Sequence, residues 1–305
     1  MNSVTILGSI NVDSILHIPA LPKPGETIAM TGFAQAAGGK GANQAVAAAR
    51  SGAAVAFIGA TGDDANAAFM RRQLADAGVD LTAVATIAGQ QTGQAYILLQ
   101  ASGQNSIVIQ AGANADVAPA PAVAAYRKTA FTVAQCETPL NTTQAVFEQA
   151  RAQGSVTVLN PAPAQPLPDA LLALCDLIVP NETESAKLSG ITTDTAAGLA
   201  ANAAYFHARG VRGVIITLGD HGAYVDLDGQ AFTVPAFKVA AVDTTAAGDT
   251  FIGALVASLT PDLANLREAV EYASEASALA VQSLGALPSI PTRAAVEAAL
   301  AVAHG

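Results

Sequence analysis

The chain has 305 residues, 51% of them hydrophobic and 12% charged, with 14 Lys and Arg against 24 Asp and Glu for a net charge of −10. So apolar a chain with so few charges is not disordered. The acidic balance, with no basic run beyond Arg71-Arg72, argues against a nucleic-acid partner.

In chain order, a buried strand is expected at residues 4–8. Residues 11–34 follow with strand and turn character but no helical period, then a helix over 42–50. A strand at 55–59 and a helix at 65–77 precede a second β region at 94–110. There Tyr96-Ile97-Leu98-Leu99 and Ser106-Ile107-Val108-Ile109 flank the turn Ala101-Ser102-Gly103-Gln104. Strands at 131–134, 156–159, 177–180 and 214–218 alternate with helices over 140–153 and 196–208. Gly52, Gly78, Gly154 and Gly210 follow helices, where a left-handed C-terminal residue is needed. This alternation predicts an α/β fold, three-layer and Rossmann-like, with a mostly parallel sheet flanked by helices. A single domain is expected over 1–305. The two β regions, 11–34 and 94–110, are expected to form a small β-sheet lid over the carboxyl ends of the strands, where such folds bind ligands.

Mean hydropathy is +0.39, but much of this is alanine. Apolar runs such as 53–60 fall short of the about 20 residues that span a bilayer, so no membrane association is expected. Residues 1–7 lack the basic start of a secretory leader, which makes the expected location cytoplasmic. Cys136 and Cys175 are too few for a disulfide framework and too far apart for a CxxC metal site. His17, His207, His221 and His304 have no ligand spacing and read as non-catalytic.

Two segments carry chemistry. In Asp243-Thr244-Thr245-Ala246-Ala247-Gly248-Asp249-Thr250-Phe251 a helix is expected to start near Ala246 or Ala247. Its small first turn leaves backbone N–H groups open to an anion. A transferring phosphoryl group needs such positioning, and Asp249 would orient and deprotonate the attacking hydroxyl. The second segment is Gly38-Gly39-Lys40-Gly41-Ala42-Asn43-Gln44-Ala45. It is not a Walker motif, because Gly41 stands where Ser or Thr would bind Mg²⁺. Its glycines let Lys40 and Asn43 face a small polar ligand.

With Gly8-Ser9-Ile10-Asn11-Val12-Asp13, Asn160-Pro161-Ala162-Pro163-Ala164 and Pro180-Asn181-Glu182-Thr183-Glu184 in the same order, the chain resembles the ribokinase-like (PfkB) sugar kinases from Gly8 to Ser289. The resemblance implies ATP-dependent phosphorylation of D-ribose at O5. Alternatives are 2-deoxyribose, another pentose or a nucleoside, and a sugar-binding regulator without turnover. It implies catalytic roles for Asp249, Gly248 and Ala247, and sugar contacts from Asn11, Asp13, Gly39, Lys40, Asn43, Glu137, Asp243 and Asp249. Nucleotide contacts would come from Asn181, Thr217, Leu218, Gly219, Asp220, His221, Gly222, Gly248 and Ser274. Glu184 would associate with Mg²⁺, and Asp243, Thr245, Ala280, Ser283, Gly285 and Ser289 with K⁺. A homodimer through the lid is also implied. The chain departs from the family pattern at Ser274, where a larger amide or imidazole is expected beside the adenine, and at Ser283-Leu284, which replaces a basic pair.

Overall fold

A computed structural model describes residues 1–303, so His304 lies outside it. Its strands are β1 (Ser3–Leu7), β2 (Asn11–Ile18), β3 (Gly32–Gly38), β4 (Ala54–Thr61), β5 (Val84–Thr86), β6 (Gly93–Gln100) and β7 (Asn105–Gln110), then β8 (Phe131–Ala134), β9 (Val156–Leu159), β10 (Leu177–Ile178), β11 (Gly213–Thr217), β12 (Ala223–Leu227) and β13 (Gln230–Val234). Nine strands form one sheet in the order β13-β12-β11-β10-β9-β8-β1-β4-β5, parallel from β11 to β5 and antiparallel at β12 and β13. The remaining four pair as β3-β2-β6-β7.

Strand alternation divides the large sheet's side chains between two cores. Ile215 packs in one, with Val4, Ile6 and Phe57; Val214 and Ile216 pack in the other, with Leu7 and Ile58. The first core is closed by α1 (Lys40–Arg50), α2 (Ala65–Asp76), α8 (Ala247–Ser258), α9 (Leu266–Ala280) and α11 (Arg293–Ala303). The second lies under α3 (Pro119–Ala125), α4 (Leu140–Ala152), α5 (Asp169–Leu172), α6 (Glu182–Ser189) and α7 (Ala196–His207). The short α10 (Ala286–Ser289) packs near α1 and β3. Three layers result, as the alternation predicts. Gly52, Gly78, Gly154 and Gly210 all take positive φ just past a helix.

Several boundaries differ from expectation. The first lid region runs to Gly38 rather than 34, and β2 pairs parallel with β6, so the lid is a mixed sheet. The helix expected at 42–50 begins at Lys40, because Gly39 at φ 93 breaks the strand immediately before it. The strand expected at 177–180 shrinks to two residues. Pro180 has no N–H to give the ladder, and pairing resumes only as a bridge between Asn181 and Thr217. No helix among the described residues is long and apolar enough to cross a membrane.

Candidate active site

The start of α8 is built by a tight turn. Ala246 sits in the left-handed region at φ 60, the Ala247 amide donates to the Thr244 carbonyl at 3.2 Å, and the Thr250 amide donates to the Ala246 carbonyl at 2.8 Å. The amides of Gly248 and Asp249 lie between these bonds with no acceptor among the described residues. They are the free donors of the helix end. A Cβ added at Gly248 would meet nothing within 4 Å, so this residue faces open space.

Asp249 itself is buried, and both carboxylate oxygens are held. Asn43 Nδ2 donates to Oδ2 and Gln44 Nε2 to Oδ1, each at 2.9 Å. Both donors come from the first turns of α1, which packs along α8. Asn43 therefore serves the carboxylate first, while its Oδ1 is buried without a partner among the described residues.

Nearby stand residues where the small sheet joins the large one. Glu137 accepts from Ser9 Oγ and from the Lys40 backbone amide at 3.1 Å. Asn11 is buried and accepts from Asn114 Nδ2 at 2.8 Å. Asp13 lies against Gly38 so closely that a Cβ there would overlap its carboxyl group, and a Cβ at Gly39 would strike the Asn11 amide. Burial, then the charges of Glu137 and Asp249, push Asp13 up to about 7 against the pull of Lys40. Burial opposes the charge of Lys40, yet Asp249, Glu137 and Glu184 outweigh it and hold the ammonium above its ordinary range. Cys136, beside Glu137, is pushed up to about 12 by burial and then by Glu184, so it offers no thiolate.

Two clefts meet at the start of α8. The inner one, about 180 Å³, is lined by Lys40, Asn160, Asn181, Glu184 and residues 246–249 among others. The outer one, about 580 Å³, is lined by Thr217, Gly219, Asp220, Gly222, Phe251 and Ser274 among others. Thr217, Thr244, Ala247 and Gly248 line both. Leu218 and His221 do not line the outer cleft. The first is packed in the core and the second lies exposed beside Asp220. The Phe237, Lys238 and Val239 side of that cleft carried no motif that would have announced it.

Asn181 and Glu184 form a capping box at α6. Asn181 Oδ1 accepts from the Glu184 amide at 2.8 Å, and Glu184 Oε2 accepts from the Asn181 amide at 2.9 Å. Burial raises Glu184 above the usual carboxylate range, with the Asn181 amide and Lys40 opposing. A partly desolvated carboxylate of this kind suits Mg²⁺, which takes one or two carboxylates and otherwise phosphate and water. No group of three or more His, Cys, Asp or Glu among the described residues would cage a metal alone.

Asp243 is committed to its own loop. Oδ1 accepts from the Thr245 amide at 2.9 Å and hydroxyl at 2.6 Å, and Oδ2 from the Gly285 amide at 2.9 Å. Burial acts to raise this carboxyl, but those hydrogen bonds outweigh it and hold it low. The loop thus brings residues 243–245 to 281–285. The Ala280 carbonyl accepts the Ser283 amide, and the Ser289 hydroxyl turns to the Ala286 carbonyl within α10. Asp243 lines neither cleft.

With this geometry in place, residues 1–293 match the pfkB family carbohydrate kinase model. The chain belongs to the pfkB family of carbohydrate kinases. It is 45% identical over 294 residues to the ribokinase of Staphylococcus aureus, covering 95% of this chain and 97% of that one. It is 44% identical over 301 residues to the bifunctional ribokinase/ribose-5-phosphate isomerase A of Fructilactobacillus sanfranciscensis, covering 97% of this chain but 56% of the longer protein. The structure of Arabidopsis thaliana ribokinase complexed with ribose and ATP superposes with a TM-score of 0.92 at 33% identity, covering 98% of both chains. As a pfkB kinase the chain is an ATP-dependent sugar kinase.

Proposed function

We propose that this kinase transfers the γ-phosphoryl group of ATP to the 5-hydroxyl of D-ribose, giving ribose 5-phosphate and ADP. The observation that carries the reading is the placement of Asp249 beside free helix-start amides, where the inner and outer clefts share a wall. The relatives named ribokinase, and the neighbour complexed with ribose and ATP, support the choice of sugar and nucleotide.

The nucleotide lies in the outer cleft along Thr217, Gly219, Asp220, Gly222 and Ser274, its phosphates reaching Asn181 and Gly248. The sugar lies on the lid side among Asn11, Asp13, Gly39, Asn43 and Glu137. Asp249 takes the proton of the 5-hydroxyl as the oxygen bonds to the γ-phosphorus and the bond to the β-phosphate oxygen breaks. The amides of Gly248 and Asp249 bind the charge on the moving phosphoryl oxygens. Lys40, between Asp249 and Glu184 and lining the inner cleft, adds a positive charge on that path. Glu184 would hold Mg²⁺ together with the phosphates, which neutralises charge on them. The 243–245 and 281–285 backbone would hold K⁺, with Asp243 clamping the loop. The exposed apolar edge strand β7 supports a homodimer formed through the lid. One domain spans the chain, with β2, β3, β6 and β7 as its lid.

The test is a pentose panel with ATP and Mg²⁺, run in K⁺ and again in Na⁺ at equal ionic strength. Ribose-dependent ADP release, higher in K⁺, is expected. Absence of sugar-dependent release would overturn the kinase reading. Turnover of 2-deoxyribose far above ribose would move the assignment to that sugar, and tight ribose binding without turnover would mark a regulator.

A further inference from the structure

Two neutral amides hold Asp249, and one of them has its orientation set from outside the site. That one is Gln44, fully buried on α1. Its Nε2 spends both protons, one on Asp249 Oδ1 at 2.9 Å and one on Asn160 Oδ1 at 3.1 Å, and its Oε1 accepts from Gln135 Nε2 at 2.7 Å. Asn160 in turn gives Nδ2 to the Val179 carbonyl at 2.9 Å.

The anchored link is Asn160. The Val179 carbonyl just past β10 accepts only a donor, so Asn160 must present its oxygen to Gln44. That oxygen turns the Gln44 amide nitrogen, and not its oxygen, toward Asp249. Gln135, just past β8, complements this by donating to Gln44 Oε1, while its own Oε1 is buried without a partner among the described residues. A flipped Gln44 would set an acceptor against a carboxylate and strand two buried donors. Gly8 makes room for the relay, since a Cβ there would overlap Gln135 Oε1.

Resting on Asp249 as the base, we propose that Gln44, Gln135 and Asn160 are positioning residues, an amide relay that aims the Asp249 carboxylate by tying it to the ends of β8 and β10. Neutral donors suit this task. They fix a carboxylate without cancelling its charge, whereas an Arg or Lys in direct contact would compete with the substrate hydroxyl's proton.

The test is a double-mutant cycle of Gln44→Leu with Asp249→Asn, with KM for sugar and ATP measured alongside kcat. Gln44→Leu alone is expected to lower kcat on the order of 10²-fold, the scale of a misplaced group, and to leave both KM values within about twofold. In the Asp249→Asn background it should lower kcat by less than about twofold more. A full, additive loss in that background would overturn the relay. Gln135→Leu, one link further from the base, runs the same cycle if Gln44→Leu does not fold. A crystal structure of either folded variant reads placement without turnover. The relay requires the Asp249 carboxylate to rotate or to occupy more than one position, and an unmoved carboxylate overturns it. That result stands even if the wild type phosphorylates no pentose, which would remove the sugar assignment alone.

Discussion

Asp249 and Asp13 are two carboxyl groups in one site with opposite surroundings. Asp249 has an amide donor on each oxygen. Burial, with Glu137 and Asp249 as charged neighbours, pushes Asp13 up to about 7 from an ordinary 3.8. A raised folded value means the folded state binds more protons than the unfolded one between about pH 4 and 7, so this group costs stability as pH rises through that window. Asp13→Asn is therefore expected to raise Tm relative to wild type by more at pH 8 than at pH 5. Thermal melts with no sugar present check this, and an equal gap at both pH values would contradict it. The sequence announced Asp249, Lys40 and Asn43 through spacing and small neighbours. It did not announce Gln44, Gln135, Asn114 or Asn160 as partners. A buried amide's role depends on which distant carbonyl orients it, and the Gln44–Asp249 bond spans 205 residues.

At the scale of elements, the start of α8 was legible, whereas the capping box at the start of α6 was not read as one. Residues 246–248 are too small to cover their own amides, which is a local property. Asn181-Glu182-Thr183-Glu184 has the N-x-x-E spacing of a capping box, and it makes one. The same spacing places Glu184 in the lining of the inner cleft, so one residue both caps the helix and faces the cleft. Gly248 offers the sharper test, because nothing among the described residues crowds a Cβ there. Gly248→Ala should fold with Tm unchanged or slightly higher, since Ala is the better helix residue by up to about 1 kcal/mol. Its methyl group would stand where the phosphoryl oxygens approach, and kcat should drop on the order of tenfold or more. Wild-type turnover in this variant would remove the Gly248 amide from the anion site. Strand β10 was over-read for a physical reason. Its apolar run continues to Val179 and Pro180, but proline ends the ladder, and hydropathy alone does not register that.

At the scale of the molecule, periodicity sufficed for the three layers, because the central parallel strands are buried on both faces and helices such as α2, α4 and α9 on one, while α1 and α8 are buried nearly all round. The lid was legible as two β regions, but their parallel β2–β6 junction and its extension to Gly38 were not, since strand order depends on contacts far apart in sequence. Its outer strand β7 exposes Ile107, Val108 and Ile109, each more than half accessible, on an unpaired edge. Such an edge is normally covered or charged. The chain is accordingly expected to sediment at twice its 30.4 kDa mass, and Ile107→Thr with Ile109→Thr at the monomer mass. A monomeric wild type would contradict pairing through the lid.

One substitution separates the proposed base from the helix-start amides and everything else in the site. Asp249→Asn keeps the side chain's size; its oxygen still accepts from Gln44, and its NH2 is received by Asn43 Oδ1 once that otherwise unanchored amide flips. Measured by calorimetry for ribose and by ADP release for turnover, it is expected to bind sugar within a few-fold of wild type while kcat falls by about 10²–10⁴, the range for loss of a general base. Turnover comparable to wild type would contradict the account.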